Sequence, residues 1–267
     1  MKNKVLIITG ASSGIGQALA LEGLTQGARV VMAARNQRAM EAMTRDQDPA
    51  SYLIVPADVS KEEDCRRIID ETVEKFGGID ILINNAGISM RALLKDVKLD
   101  VLERLMRVNF WGTVYCTKYA LPWLLASKGS VIGVSSIAGY KGLPARSGYS
   151  ASKFALQGFL ETIRVEHLYQ DLHVMIACPG FTGSNIRKTA LDKDGNLQGE
   201  SPREETRMMS AETVAKKIFK ATAKRKRTLI LTRQGKLTVL LNKLFPAWVD
   251  KLVYKHMAKE PDAPFTK

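Results

Sequence analysis

The chain is short of the residues that disulfide and metal chemistry need. Among 267 residues there are three cysteines, Cys65, Cys116 and Cys178, without Cys-x-x-Cys spacing, and three scattered histidines, His167, His173 and His256. A disulfide framework and a metal site both lack their ligands, so the thiols, set in apolar or helical patterns, are expected to be buried and free. Long apolar runs are missing as well. No stretch of about 18 apolar residues occurs, and MKNKVLIITG passes directly from a few polar residues into a strand-like run, so neither a membrane span nor a signal peptide is expected and the sequence reads as cytoplasmic.

Acidic residues are scarce in one region in particular. The formal net charge is +13, but from Lys216 onward fourteen Lys or Arg meet only Asp250, Glu260 and Asp262, which leaves an excess of two for everything before. A basic total can signal nucleic acid. Here the excess belongs to a tail, and KRKR (224–227) has neither interleaved aromatics nor a recognition module around it, so no nucleic-acid partner is expected.

What is present is an alternation of short β-rich runs with longer helical patterns. Strands are predicted at 4–9, 28–33, 51–57, 79–84, 130–136, 172–178 and 227–232, as continuous Val/Ile/Leu runs of the kind covered on both faces. Helices are predicted near 14–26, 36–46, 61–76, 100–126, 149–170 and 211–223. The fold class is therefore α/β: a single doubly wound Rossmann-type domain over 1–232 with a mainly parallel sheet. Residues 181–210 are polar and too long for a simple connection, which suggests a substrate loop or lid. Residues 233–267 form a basic, amphipathic helical extension, broken at Pro246.

TGASSGIG (9–16) follows the first strand and opens a helix, where glycines and free N–H groups suit a pyrophosphate. After the second strand, Arg35 and Asn36 stand where an acid would bind the ribose hydroxyls of NAD, so NADP is the better electrostatic match. Asp58 and Ser60 are candidate caps for the third helix, Ser60 the stronger, and Asp58 is also an acceptor for an adenine amino group. NNAG (84–87) lies at the carboxyl edge of the sheet, where open α/β folds bind ligands. Tyr149 and Lys153, four apart in GYSASKFALQ, share one helical face.

TGASSGIG, the lone Asp58, NNAG, Asn109 in RVNFWG, Ser136 in VSSIAG, YSASK and Pro179-Gly180 occur in order from residue 4 to about 186, and together they resemble the short-chain dehydrogenase/reductase family, in its NADP-preferring branch. The resemblance implies that Tyr149 is the general acid or base, that Lys153 lowers its pKa and holds the nicotinamide ribose, that Ser136 positions the substrate oxygen and that Asn109 anchors a relay water. It also implies that Gly10, Ser13, Gly14 and Ile15 line the pyrophosphate turn and that Gly16 binds the cofactor with them. Asp58 and Val59 would meet the adenine, Asn85, Ala86 and Gly87 the adenosine ribose region, and Thr182 the carboxamide. Pro179 and Gly180 complete that wall, and Ser12, Ser13, Arg35 and Asn36 face the 2′-phosphate side. The family's Pro-Gly-x-x-x-Thr reads PGFTGS here, with Ser184 in the threonine's place.

A tyrosine with pKa about 10 is too basic near neutrality, and a lysine about 5 Å away at an effective dielectric near 20 is worth roughly 3 kcal/mol, on the order of two units downward. The reaction implied is hydride transfer between NADPH and a carbonyl carbon, most simply reduction of a hydrophobic ketone or aldehyde. The alternatives are a 3-oxoacyl-carrier-protein reductase, a sugar-nucleotide epimerase and a non-catalytic NADP-binding regulator. For the extension, attachment to anionic lipid through Leu240, Leu241, Leu244, Phe245, Trp248 and Val249 beside Lys243 and Lys251 competes with covering the cleft or a subunit contact. The family resemblance implies a homodimer or homotetramer.

Overall fold

The computed structural model describes residues 1–180, 182–183, 185–201 and 208–265. Seven strands, β1 (Val5–Thr9), β2 (Arg29–Ala34), β3 (Tyr52–Pro56), β4 (Ile81–Asn84), β5 (Ser130–Val134), β6 (His173–Cys178) and β7 (Thr228–Ile230), form one sheet in the order β3-β2-β1-β4-β5-β6-β7. All six pairings are parallel. Side chains alternate between two cores, as the period of a strand requires. Leu6, Ile8, Val30, Met32 and Ile83 pack on one side with Leu19 and Phe219, while Ile7, Val31, Leu82 and Val131 pack on the other with Ile68, Leu124 and Leu160. With both faces covered, the strands need no polar side, which explains their unbroken apolar runs.

The first core is closed by helices α1 (Gly14–Thr25) and α7 (Ala211–Ala223), with the short α2 (Gln37–Met43) alongside. The second is closed by α3 (Glu62–Phe76), α5 (Gly112–Ala126) and α6 (Ser147–Glu166). Helix α6 reaches the sheet closely because residue 133 is glycine. A Cβ there would stand 2.2 Å from Leu160 Cδ1, so a side chain at 133 would force Leu160 of α6 to repack.

Three expectations are corrected. The helix predicted over 100–126 is a rod in two parts, α4 (Leu99–Met106) and α5, joined through a π-helical turn at Arg107–Trp111. That wider turn carries Asn109 and leaves it fully buried, and such bulges recur at functional sites. Strand β5 ends at Val134 rather than 136, because Ser136 leaves the sheet to accept a hydrogen bond from Ala138 N (3.2 Å) and caps a 3-10 turn at Ile137–Gly139. Ser60 does not cap α3. Its N–H and hydroxyl both donate to Asp58 Oδ1 (3.0 and 2.8 Å), and no side chain caps that helix.

After β7 the chain forms α8 (Arg233–Leu244), whose first turn is capped by Thr232, and α9 (Pro246–Met257), with Pro246 at its first position. The pair is tied to the domain beside the 3-10 turn. Asn242 Nδ2 donates to Tyr140 O (3.1 Å), and Lys141 pairs with Asp250. The three cysteines are buried and free. No helix among the described residues is long and apolar enough to cross a membrane.

Candidate active site

A cleft of about 620 Å³ opens at the carboxyl edge of the sheet, where the strand order reverses between β1 and β4. Its floor is the glycine turn after β1. Thr9 Oγ1 accepts from Asn85 N and Ala86 N (both 3.0 Å), and Asn85 Nδ2 donates back to Thr9 O (2.9 Å), so the ends of β1 and β4 are locked together. Gly10 has φ +68° and packs so tightly that a Cβ would meet Ala86 Cα at 2.8 Å. Ser13 precedes α1 in an extended conformation without a capping bond, and the first turn of α1 contains no acid. The positive end of α1 and its leading N–H groups are thus uncompensated by side chains, which suits an anion such as a pyrophosphate.

Gly10, Ser12, Ser13, Gly14 and Ile15 line this end of the cleft, as do Arg35, Asn36, Asp58, Val59, Asn85, Ala86 and Gly87. Gly16 does not reach the wall. It lies beneath the turn, where a Cβ would be 2.1 Å from Gly10 O, so its part is to let the helix pass under the loop. Arg35 is exposed, and Asn36 caps α2 by accepting from Ala39 N (3.1 Å). Pro179, Gly180 and Thr182 line the opposite wall, while Ser184 lies outside the described residues.

The same cleft receives Ser136, Tyr149 and Lys153. Ser136 stands beside the Tyr149 hydroxyl and acts to lower its pKa. Lys153, only 3% exposed, lies 5.8 Å from the centre of the Tyr149 ring and donates to Val134 O (2.9 Å). Asn109 is not on the wall. Its side chain is consumed in holding the site: Oδ1 accepts from Ile88 N (2.8 Å), and Nδ2 donates to Ile88 O and Ser152 Oγ (both 2.9 Å). Ser152 in turn donates to Tyr149 O (2.8 Å), which links the π turn to the helix that carries the tyrosine.

The electrostatics differ from the simple charge estimate. Desolvation in the cleft pushes the Tyr149 phenol up, and the neighbouring Ser136 hydroxyl and the charge of Arg187 only partly offset it. Burial also brings the Lys153 ammonium down, to about 8. Treating the pair as two charges in a uniform medium left out the cost of dehydrating both, which is the larger effect in this cleft.

A family model described as short chain dehydrogenase matches residues 4–195. The chain belongs to the short-chain dehydrogenase family. It is 35% identical over 274 residues to 11-beta-hydroxysteroid dehydrogenase A of Sesamum indicum, covering 97% of this chain and 78% of that protein. It spans 60% and 53% of the length of Arabidopsis thaliana relatives named as 11-beta-hydroxysteroid dehydrogenase-like 2 and 11-beta-hydroxysteroid dehydrogenase 1A. Among solved folds, an alcohol dehydrogenase from Thermococcus sibiricus complexed with 5-hydroxy-NADP superposes with TM-score 0.76 at 22% identity, covering 86% of this chain and 96% of that one. A short-chain dehydrogenase/reductase from Burkholderia phymatum in complex with NAD superposes with TM-score 0.80 at 23% identity, covering 92% and 95%. This short-chain dehydrogenase is thus an oxidoreductase of the CH–OH/C=O class with a nicotinamide-cofactor fold. Sequence reasoning overlooked Thr9, Ser152 and Arg187. The serine was visible inside YSASK, whereas nothing in the local pattern of Arg187 tied it to a residue 38 positions earlier.

Proposed function

We propose that this short-chain dehydrogenase reduces a hydrophobic ketone or aldehyde with NADPH, with Tyr149 giving the proton. The observation that carries the reading is the convergence of Ser136, Tyr149 and Lys153 on the cleft that the uncapped end of α1 also enters. Bound NADPH supplies the hydride. Ser136 and Tyr149 hold the carbonyl oxygen between two hydroxyls and polarise it, which stabilises charge as it develops there. Tyr149 then transfers its proton to that oxygen, and Lys153, charged below about pH 8, stabilises the phenolate left behind. Asn109 and Ser152 hold the backbone that aims Tyr149, which makes them positioning residues. In the cofactor seat, Asp58, Val59 and Asn85 to Gly87 serve the adenosine, and Thr182 serves the carboxamide.

The NADP preference rests on Arg35, an exposed guanidinium on the cleft wall at the end of β2, with no acid beside it to repel a 2′-phosphate. Titration of cofactor fluorescence is expected to show NADPH bound about tenfold or more tighter than NADH, with the order reversed in Arg35→Asp. Tighter NADH binding by the unaltered protein would overturn this preference.

A second reading concerns the extension, residues 233–267, taken as a unit separate from the catalytic domain at 1–232. Leu240, Leu244, Phe245 and Trp248 are each more than half exposed, and Lys243 and Lys251 are exposed beside them, an arrangement that suits an anionic lipid surface. Val249 does not belong to that face, being 2% exposed. On this reading the protein is cytoplasmic, peripheral to a membrane, and a homodimer or homotetramer. Co-sedimentation with phosphatidylserine-containing vesicles is expected for the full chain and to be lost in Leu240→Ser/Leu244→Ser/Trp248→Ser. Equal pelleting of the two would remove the membrane reading.

A further inference from the structure

At the substrate end of the cleft the chain closes on itself. Beyond α9, Glu260 turns inward until it is 7% exposed, although most of the tail around it is solvated. Its Oε2 accepts from Arg146 Nη2 (2.7 Å) and lies 3.8 Å from Arg91 Nε. Arg91 Nη2 also donates to Pro261 O. Both guanidiniums are close to nine-tenths buried, with side chains 11% and 12% exposed. The pair is not fully served by the tail: Arg91 Nε is buried without a hydrogen-bond partner. A buried guanidinium N–H without an acceptor is costly, and the cost falls when a further oxygen arrives.

The surroundings reinforce this positive character. Arg146 is the residue immediately before α6, whose first turn contains no acid and whose leading N–H groups receive no capping bond from a side chain, so the positive end of that helix adds to the local charge. Arg104 and Arg187 line the same region, and Glu260 is the acid lining it among the described residues; Asp58, the other acid on the wall, belongs to the adenosine end. Leu143, Leu191, Leu197 and Met257 supply apolar wall, with Asn185, Thr189 and Gln198 as polar members of the lining. Tyr149 follows Arg146 by three residues, about one helical turn or ~5 Å along α6.

We infer that Arg91 and Arg146 form a substrate anion site, that the Glu260 carboxylate of the tail occupies it as a built-in stand-in, and that the substrate is an apolar carbonyl compound bearing a carboxylate or phosphate head group that displaces Glu260. The inference deepens the oxidoreductase reading, on which it depends for the place of the reacting carbonyl. A planar carboxylate can take two parallel N–H bonds from a guanidinium, and it satisfies Arg91 Nε where the tail does not. The apolar wall then receives the rest of the molecule, and the carbonyl is brought within reach of Tyr149.

The test uses 4-formylbenzoate, its methyl ester and 4-formylphenyl phosphate with the full-length protein. Calorimetric binding is expected to favour at least one anion over the neutral ester by about tenfold or more, and the stronger of the two identifies the head group. In Arg146→Gln this preference disappears. In Glu260→Gln, where the stand-in has lost its charge, the favoured anion binds several-fold tighter; should that variant fail to fold, the comparison of anion with ester in the unaltered protein and in Arg146→Gln decides the matter. Equal binding of acid, phosphate and ester, or a preference that survives Arg146→Gln, overturns the anion site and leaves Glu260 as a permanent structural tie. Reduction of the three aldehydes with NADPH is measured in parallel. Selective binding without reduction of any of them would count against the oxidoreductase reading while leaving the anion site in place, and reduction of all three without selective binding would do the opposite.

Discussion

Tyr149→Phe lowers kcat/KM for carbonyl reduction by roughly 10²–10⁴-fold and leaves NADPH binding within about twofold. The first number is the usual weight of a positioned general acid. The second follows because the hydroxyl points at Ser136 and the cleft, whereas the cofactor seat is built from the α1 terminus and the β4 edge. Ring packing against Met90 and Leu105 survives the change, so stability moves little. The pH profile of the unaltered enzyme carries a matching sign. Lys153 is charged below about 8 and neutral above it, so reduction declines on the alkaline side as the phenolate loses its counter-charge. Steady-state kinetics across pH 6–10 with a fluorescence titration of NADPH checks both. Retention of more than a tenth of the activity by the phenylalanine variant would remove Tyr149 as the acid.

Lys153→Met should uncouple turnover from stability. The ammonium is 3% exposed, and burial lowers its pKa from 10.5 to about 8, so carrying that charge at neutral pH costs on the order of 3 kcal/mol. Methionine has a similar length, removes the charge and forfeits one hydrogen bond, to Val134 O, worth about 1 kcal/mol. The remainder, about 2 kcal/mol, raises Tm by several degrees, while activity falls by roughly 10² or more. The pH dependence gives a second check. Below pH 8 the lysine is protonated in both folded and unfolded chains. Between about 8 and 10.5 the unfolded chain holds the proton that the folded chain has released, so the stability of the unaltered protein rises with pH there. The methionine variant lacks that rise, and the gap in Tm between the two closes toward pH 10. Thermal denaturation at pH 7 and pH 10 measures it, and a destabilised methionine variant at pH 7 would refute the assignment of Lys153 as a strained buried cation.

Much of this molecule could be read before folding because its informative signals are local. A βα turn needs its glycines within eight residues, a helical face places Tyr149 over Lys153 by periodicity alone, and a strand covered on both sides shows itself as an unbroken apolar run. Seven strands, their parallel character and the cleft at the carboxyl edge followed from such patterns. Boundaries fared less well where a side chain redirected the backbone. Ser136 ended β5 two residues early by accepting from Ala138 N, and Asp58 took the Ser60 hydroxyl that a local reading assigned to the helix cap.

The chain's own order of residues therefore determined the class of fold, the glycine turn, the Tyr149–Lys153 pairing and the basic, amphipathic character of the tail. Tertiary structure alone decided how those parts are charged and what meets them. Burial, which no residue carries in its own identity, reversed the direction of the Tyr149 shift and set Val249 inward while its neighbours face solvent. It also brought Glu260 onto Arg146 across 114 positions of chain. Contacts of that separation leave no periodic trace, because they are selected by packing between elements rather than by the geometry within one.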